Sequence, residues 1–167
     1  MEGGRIPKPG EAMIFLDSNL FVIDLRYPDD VHHRVNRRAL DRLGAEGIGM
    51  TSVLNLLEVC GILSFNLSVP SLHELYVHFA RRYRVTLVPG GGYDTRVPAP
   101  AARELLARME RRMAFKDAEI ALVVEENGAG LDAFLSWNAR HFVGKLPVPA
   151  LTPSEWLRHR ARRRKRR

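Results

Sequence analysis

The sequence predicts a three-layer α/β/α sandwich built on a central parallel sheet. Short apolar runs of strand length alternate along the chain with longer segments whose apolar residues recur at helical spacing. Such alternation is typical of a parallel sheet covered by helices on both faces. The chain has 167 residues, 46% of them apolar, which is enough to bury one core without disulfides. We therefore expect a single folded domain over residues 12–157.

The apolar runs predict four strands, at residues 12–16, 48–51, 84–88 and 131–136. The first run is followed at once by Asp17, and the third is stopped by Pro89 and three glycines. In parallel sheets, ligands bind at the carboxyl ends of the strands. Asp17 is therefore the first candidate for a functional residue.

Helices are predicted between these strands from apolar spacing and from capping residues. Ser52 is placed to cap one helix, Pro70 fits a first turn, and residues 152–155 (TPSE) form a capping box. The predicted helices occupy residues 19–25, 31–45, 53–65, 70–80, 99–113 and 117–126, with a short final helix around Trp156.

Positive charge is concentrated at the end of the chain. Residues 158–167 hold eight of the 26 Lys and Arg residues and no acid, so 18 basic residues face 19 acidic ones in the remainder. Such a segment repels itself and favours polyanions, and we expect a disordered basic tail. A solubilising terminus is the alternative interpretation.

The other compositional features indicate a cytoplasmic protein. The single cysteine, Cys60, excludes an internal disulfide framework and is expected to pack as a small apolar group. No apolar run approaches the roughly 18 residues of a membrane span. Residues 1–11 lack the apolar core of a secretory signal, and we expect them to be flexible.

Three acidic residues form the candidate site, although each has a structural alternative. Asp17 is placed to cap the next helix, and Asp117 to interact with a helix dipole. Glu58 lies on the predicted buried stripe of its helix, where it needs a cation, either an arginine or a metal ion. If the three carboxylates converge, they supply the oxygen ligands that Mg²⁺ or Mn²⁺ prefers, and such a metal supports phosphodiester hydrolysis.

Three segments in this order resemble the PIN-domain family over residues 13–156. IFLDSNLFV resembles its first motif, a strand that ends in Asp followed by Ser and Asn. TSVLNLLEVCGIL resembles the second motif, which presents Glu58, and FKDAEIALVVEENGAGLDAFLSWNARHF resembles the third and fourth together. Each motif is only moderately specific, but their order and spacing make the match strong.

The resemblance implies a PIN-like nuclease domain that cleaves RNA with Mg²⁺ or Mn²⁺. It assigns Asp17, Glu58 and Asp117 as metal ligands, with Asn19 and Ser136 as supporting residues. Many small members of the family are toxins of type II toxin–antitoxin pairs, so the implied partners are an RNA substrate, an antitoxin protein and a second copy in a homodimer.

The fourth motif departs from the family pattern, because Asn138 stands where the family typically has Asp. An amide oxygen can still bind a metal ion or orient water, but the site loses a negative charge, which favours one metal ion over two. Asp132 is an alternative acid, although its position on the strand favours a structural role.

Two other functions stay open at this point. The amide at Asn138 is compatible with a catalytically weak PIN-like module that binds nucleic acid or another protein. A phosphatase that forms an aspartyl intermediate would need a second Asp at position 19, which is Asn19.

Overall fold

Five short parallel strands form the central sheet of the computed structural model, which describes residues 12–164 and the side chains of residues 12–162. Their order across the sheet is β3-β2-β1-β4-β5. The strands are β1 (Met13–Leu16), β2 (Gly49–Ser52), β3 (Val85–Val88), β4 (Leu131–Leu135) and β5 (Ala150–Leu151). The α/β class and the parallel sheet are therefore confirmed. The segment 1–11, predicted to be flexible, lies outside the described residues.

Seven α-helices lie between and after these strands within the described residues. They are α1 (Ser18–Arg26), α2 (His33–Glu46), α3 (Val53–Leu63), α4 (Val69–Tyr83), α5 (Ala102–Met109), α6 (Phe115–Glu126) and α7 (Pro153–Arg164). Between residues 12 and 164, no helix is both long enough and apolar enough to cross a bilayer.

Two apolar cores, one on each face of the sheet, produce the three layers. Successive strand side chains point to opposite faces, so Ile14 and Leu16 pack with residues of α1, α2, α3, α4 and α7. Met13 and Phe15 point the other way and pack with α6 and with Phe142. Each side of β1 is thus covered, as expected for a buried parallel strand.

The predicted capping residues start their helices. The Ser52 hydroxyl accepts a hydrogen bond from the Asn55 amide at 3.1 Å at the start of α3. At the start of α7, the Glu155 carboxylate accepts from the Thr152 amide at 2.8 Å, and the Glu155 amide donates to the Thr152 hydroxyl at 3.3 Å. The predicted capping box is confirmed.

The predicted disordered tail is wrong for residues 158–164, which continue α7. Arginine is a good helix former, and Arg160 pairs with Glu46 of α2 while its guanidinium lies 6.0 Å from the centre of the Trp156 ring. These contacts hold the basic segment against the body of the protein. Residues 165–167 of the predicted tail lie outside the described residues.

The sheet has a topological switch point between β1 and β4. From β1 the chain moves outward through β2 to β3, and it then crosses to the other side of β1 to form β4 and β5. Neighbouring connections diverge at such a point and leave a crevice at the carboxyl ends of the two strands. Asp17 follows β1 and Ser136 follows β4, so both lie at the mouth of this crevice.

Candidate functional site

Asp17 is the centre of a polar cluster at the switch point. Its side chain is 6% exposed, because the residue ends β1 and at the same time caps α1. One carboxylate oxygen accepts from the Ser18 amide at 2.8 Å and from the Asn55 amide group at 3.4 Å. The other accepts from Asn19 at 2.9 Å and from the Ser136 hydroxyl at 2.6 Å.

Ser18 links this carboxylate to the second predicted acid. The Ser18 hydroxyl lies 2.7 Å from Glu58 Oε2 and 3.3 Å from Asp17 Oδ1. A hydroxyl has one proton to donate, and the shorter distance assigns it to Glu58. Two acids that are 41 positions apart in the chain thus meet at one oxygen atom.

The predicted burial of Glu58 is wrong. The buried stripe was predicted from the spacing of Leu54, Leu57, Gly61, Ile62 and Phe65, but Leu57 and Phe65 are 39% and 87% exposed. Glu58 is only partly buried, at the border of the helix face that packs into the core. The residues of α3 that are buried are Val53, Asn55, Leu56, Val59, Cys60 and Leu63. Cys60 packs in the core as predicted.

Asn19, Ser136 and Asn138 close the cluster on the β4 side. The Asn19 amide group donates to the Ser136 hydroxyl at 2.9 Å as well as to Asp17. The backbone amide of Asn138 donates to the same hydroxyl at 2.9 Å. The Ser136 hydroxyl in turn donates its hydrogen bond to Asp17. Asn19 and Ser136 therefore fix the orientation of the Asp17 carboxylate.

Burial raises the pKa of Asp17 from 3.8 to about 6. Removal of the carboxylate from water is the main cause; the hydrogen bonds from Ser136 and from the Ser18 amide oppose it, and the negative charge of Glu58 adds to it. Among residues 12–162, no cationic side chain lies beside this carboxylate to offset its charge. A cation at the Asp17–Glu58 pair would relieve both the desolvation and the mutual repulsion.

Asp117 does not join the other two acids in a common ligand group. No three His, Cys, Asp or Glu side chains among the described residues are arranged to hold a metal ion, so the predicted convergence of three acids is not formed. Asp117 is partly buried in the first turn of α6, on the opposite layer from α3. The end of α6 leads into the start of β4 through one 3₁₀ turn. The first turn of α6, at the other end of the helix, therefore lies toward the carboxyl ends of the strands.

Two further predicted residues lie away from the buried cluster. The Asn138 side chain is exposed, so the residue contributes its backbone amide to the cluster. Asp132 is exposed at the second position of β4, near the strand's amino end. Asp17 lies at the carboxyl ends of the strands, on the opposite side of the sheet from the amino end where Asp132 lies. Asp132 is therefore not a replacement acid.

Ser18 and Asn55 also belong to the site, although they were not among the residues predicted from the sequence. Asn55 is 1% exposed and donates to Asp17, while its own carbonyl oxygen accepts from the Ser52 hydroxyl at 2.5 Å. The signal for Asn55 was present, because a polar residue in the first turn of a strongly apolar helix must find partners inside the protein.

The side chains at this edge fit a hard divalent cation. Asp17, Glu58 and Ser18 present oxygen atoms, which suit Mg²⁺ and Mn²⁺, whereas zinc sites favour histidine and cysteine. Mg²⁺ is commonly held by one or two carboxylates and keeps several water ligands. Asp17 and Glu58 meet that requirement without a third direct ligand.

No family model matches the chain, and no curated protein sequence matches it significantly. The fold and the site together define an α/β protein with a paired-carboxylate cluster at the switch point of its sheet.

Proposed function

We propose that this protein is a PIN-like ribonuclease that hydrolyses RNA phosphodiester bonds with Mg²⁺ or Mn²⁺. The observation that carries the proposal is the meeting of Asp17 and Glu58 at the Ser18 hydroxyl, at the carboxyl edge where this sheet has its crevice. A phosphodiester is an anion that two ionised carboxylates would repel. The cluster therefore suits this substrate only together with a cation.

Asp17 and Glu58 would hold the metal ion, and Asp117, in the first turn of α6, would bind it directly or through water. When bound, a divalent cation would supply Lewis-acid chemistry: it would activate water and neutralise charge on the phosphate. Asn19 and Ser136 keep the Asp17 carboxylate in one orientation. The exposed side-chain amide of Asn138 would orient a water or a substrate oxygen.

The test is cleavage of a labelled RNA by the wild-type protein and by Asp17→Asn. We expect cleavage to stop in EDTA and to return with Mg²⁺ or Mn²⁺, and Asp17→Asn to lower the rate at least about 100-fold. Asp132→Asn is the matched control, since this exposed acid lies at the other edge of the sheet, and it should cleave at the wild-type rate. An Asp17→Asn protein as active as wild type would refute the assignment.

We further propose that the protein acts as the toxin of a type II toxin–antitoxin pair and forms a homodimer, in line with the sequence resemblance. Induced expression should then arrest growth, and Asp17→Ala should abolish the arrest at equal protein level. Coexpression with a short protein encoded next to this chain should restore growth. Arrest that persists with Asp17→Ala would exclude toxicity through RNA cleavage.

The second candidate is a PIN-like module that binds nucleic acid or protein with weak or no catalysis. Two observations favour it: the four groups donating to Asp17 already satisfy most of its acceptor capacity, and the family's fourth acid is replaced by the exposed Asn138. Calorimetric titration with Mn²⁺ separates the candidates. Heat of binding that disappears in Asp17→Asn supports the nuclease, whereas no binding at millimolar Mn²⁺ supports the module.

A further inference from the structure

Two aromatic rings are stacked beside the acidic cluster. The His32 and Trp137 rings lie with their centres 4.1 Å apart and their planes 21° from parallel. His32 is exposed and Trp137 is partly buried. The histidine thus covers one face of the indole and presents its own outer face to solvent.

The indole of Trp137 is held in a fixed plane by a buried asparagine. Its N–H donates to the Asn36 side-chain oxygen at 2.9 Å, and the Asn36 amide group donates to the Leu20 carbonyl at 2.7 Å. Asn36 is fully buried, so both of its bonds are needed to offset the loss of water. The ring of Trp137 is therefore an ordered surface and not a freely rotating side chain.

His32 is held by its backbone, and its ring has no capping role. The His32 amide donates to the Asp30 carboxylate at 2.7 Å, and its carbonyl accepts from the Asn36 amide at 2.8 Å. Although His32 stands at the start of α2, its side chain forms no capping hydrogen bond. Among the described residues, the indole of Trp137 is the aromatic partner of this ring.

The stack is directly connected to the cluster. Trp137 follows Ser136, whose hydroxyl donates to Asp17 at 2.6 Å. The Trp137 backbone amide donates to the Asn19 side-chain oxygen at 3.2 Å. The stack is thus tied through Trp137 to Ser136 and Asn19, two residues that contact Asp17.

We propose that the His32–Trp137 stack binds one unpaired base of single-stranded RNA next to the scissile phosphate. The inference rests on the proposed ribonuclease function and names the substrate form that the same site takes. A base offers a flat π face that an aromatic ring binds without reading its sequence. A duplex keeps its bases stacked on each other, so a stack of this kind selects single strands.

The test is binding of a fluorescently labelled oligouridylate, measured by polarisation with Ca²⁺ in place of Mg²⁺ or Mn²⁺, so that a cation is present while cleavage is suppressed. Removal of one base–aromatic stack by His32→Ala should weaken binding about 5- to 20-fold. His32→Phe keeps a ring but no ring nitrogen, and it should bind within about twofold of wild type. His78→Ala, on the exposed side of α4, is the control and should bind as wild type does.

Binding of a hairpin duplex of the same length should be unchanged by His32→Ala. The single-stranded series is then repeated with an abasic nucleotide moved along the strand. With the abasic nucleotide at one position, the RNA should bind the wild-type protein as weakly as intact RNA binds His32→Ala. Combining that abasic RNA with His32→Ala should lower the affinity little further.

The inference is overturned if His32→Ala binds single-stranded RNA as wild type does, if His32→Phe is as weak as His32→Ala, or if the duplex loses affinity equally. These outcomes do not depend on catalysis. Base binding that responds as expected in a protein that never cleaves RNA would refute the proposed function alone. Cleavage with normal binding by His32→Ala would refute the stack alone.

Discussion

The raised pKa of Asp17 predicts a specific dependence of stability on pH. The group has a pKa of 3.8 in the unfolded chain and about 6 in the folded protein. Between these values the folded state binds more protons than the unfolded state, so the free energy of unfolding falls as pH rises. The shift corresponds to about 3 kcal/mol, lost between about pH 4 and pH 6.5. Below pH 4 the contribution is fully present.

The assay is urea unfolding of the wild-type protein and of Asp17→Asn at intervals from pH 4 to pH 8, in EDTA. Other groups also contribute to the pH dependence of stability, including Glu155, whose pKa is lowered by its hydrogen bonds with Thr152. They are common to both proteins and cancel in the difference. Relative to Asp17→Asn, wild type should lose up to about 3 kcal/mol as pH rises. A difference that is constant with pH, or that changes in the opposite direction, would refute the reasoning.

Metal binding should reverse this loss at high pH. A ligand that binds only the folded state stabilises it by RT ln(1 + [L]/Kd), which is about 1.4 kcal/mol at ten times Kd. At pH 7.5 Mg²⁺ or Mn²⁺ should therefore stabilise wild type and leave Asp17→Asn nearly unchanged. At pH 5 the proton on Asp17 competes with the cation, and the stabilisation should shrink. Equal stabilisation of both proteins would place the metal elsewhere.

Three other variants test separate contacts. Ser18→Ala removes the hydroxyl between the two acids. The cleavage rate should fall about 10-fold, and the free energy of unfolding in urea should fall by about 1 kcal/mol. An unchanged rate would show that the hydroxyl does not position Glu58. Replacing both Arg158 and Arg162 with Gln removes two positive charges from α7. The magnitude of the slope of log affinity for RNA against log salt concentration should then fall by up to about 1.4. An unchanged slope would show that α7 does not contact phosphates. Asn36→Ala leaves the indole N–H of Trp137 without its partner. The free energy of unfolding should fall by about 1–3 kcal/mol, and tryptophan emission should shift. Wild-type stability and emission would contradict the role given to the buried Asn36 amide.

The sheet and its first site residue could be predicted because their signals are local. The run from Met13 to Leu16 is apolar throughout, as a strand buried on both faces requires, and Asp17 ends it. β5 could not be predicted in the same way. It has two residues, and it pairs with β4 through contacts that no local pattern shows.

The buried face of α3 was predicted wrongly because the helix is apolar almost all round. When Leu54, Leu56, Leu57 and Val59 are adjacent or nearly so, helical spacing does not identify the side that faces the core. Tertiary packing determines which side of α3 faces the core. It leaves Leu57 exposed and places Glu58 at the border of the buried face. The polar residues of the helix, Asn55 and Glu58, indicate the site better than its apolar residues do.

The end of α7 shows a second limit of sequence patterns. A run of like charges predicts repulsion and disorder, but it does not show which charges meet a partner. Arg160 pairs with Glu46, a residue 114 positions earlier in the chain. That contact depends on how α7 packs against α2, which follows from the fold and not from local composition.

The position of the cluster between β1 and β4 also determines when it can form. The hydrogen bonds from Ser136 to Asp17 and from Asn19 to Ser136 join residues 119 and 117 positions apart. Such contacts are made only after a long loop has closed, which is slow and entropically costly. During synthesis Asp17 leaves the ribosome long before β4 exists, so the early chain exposes one edge of β1 and holds an incomplete site. Any activity of the cluster therefore starts late in folding, when β4 has paired with β1.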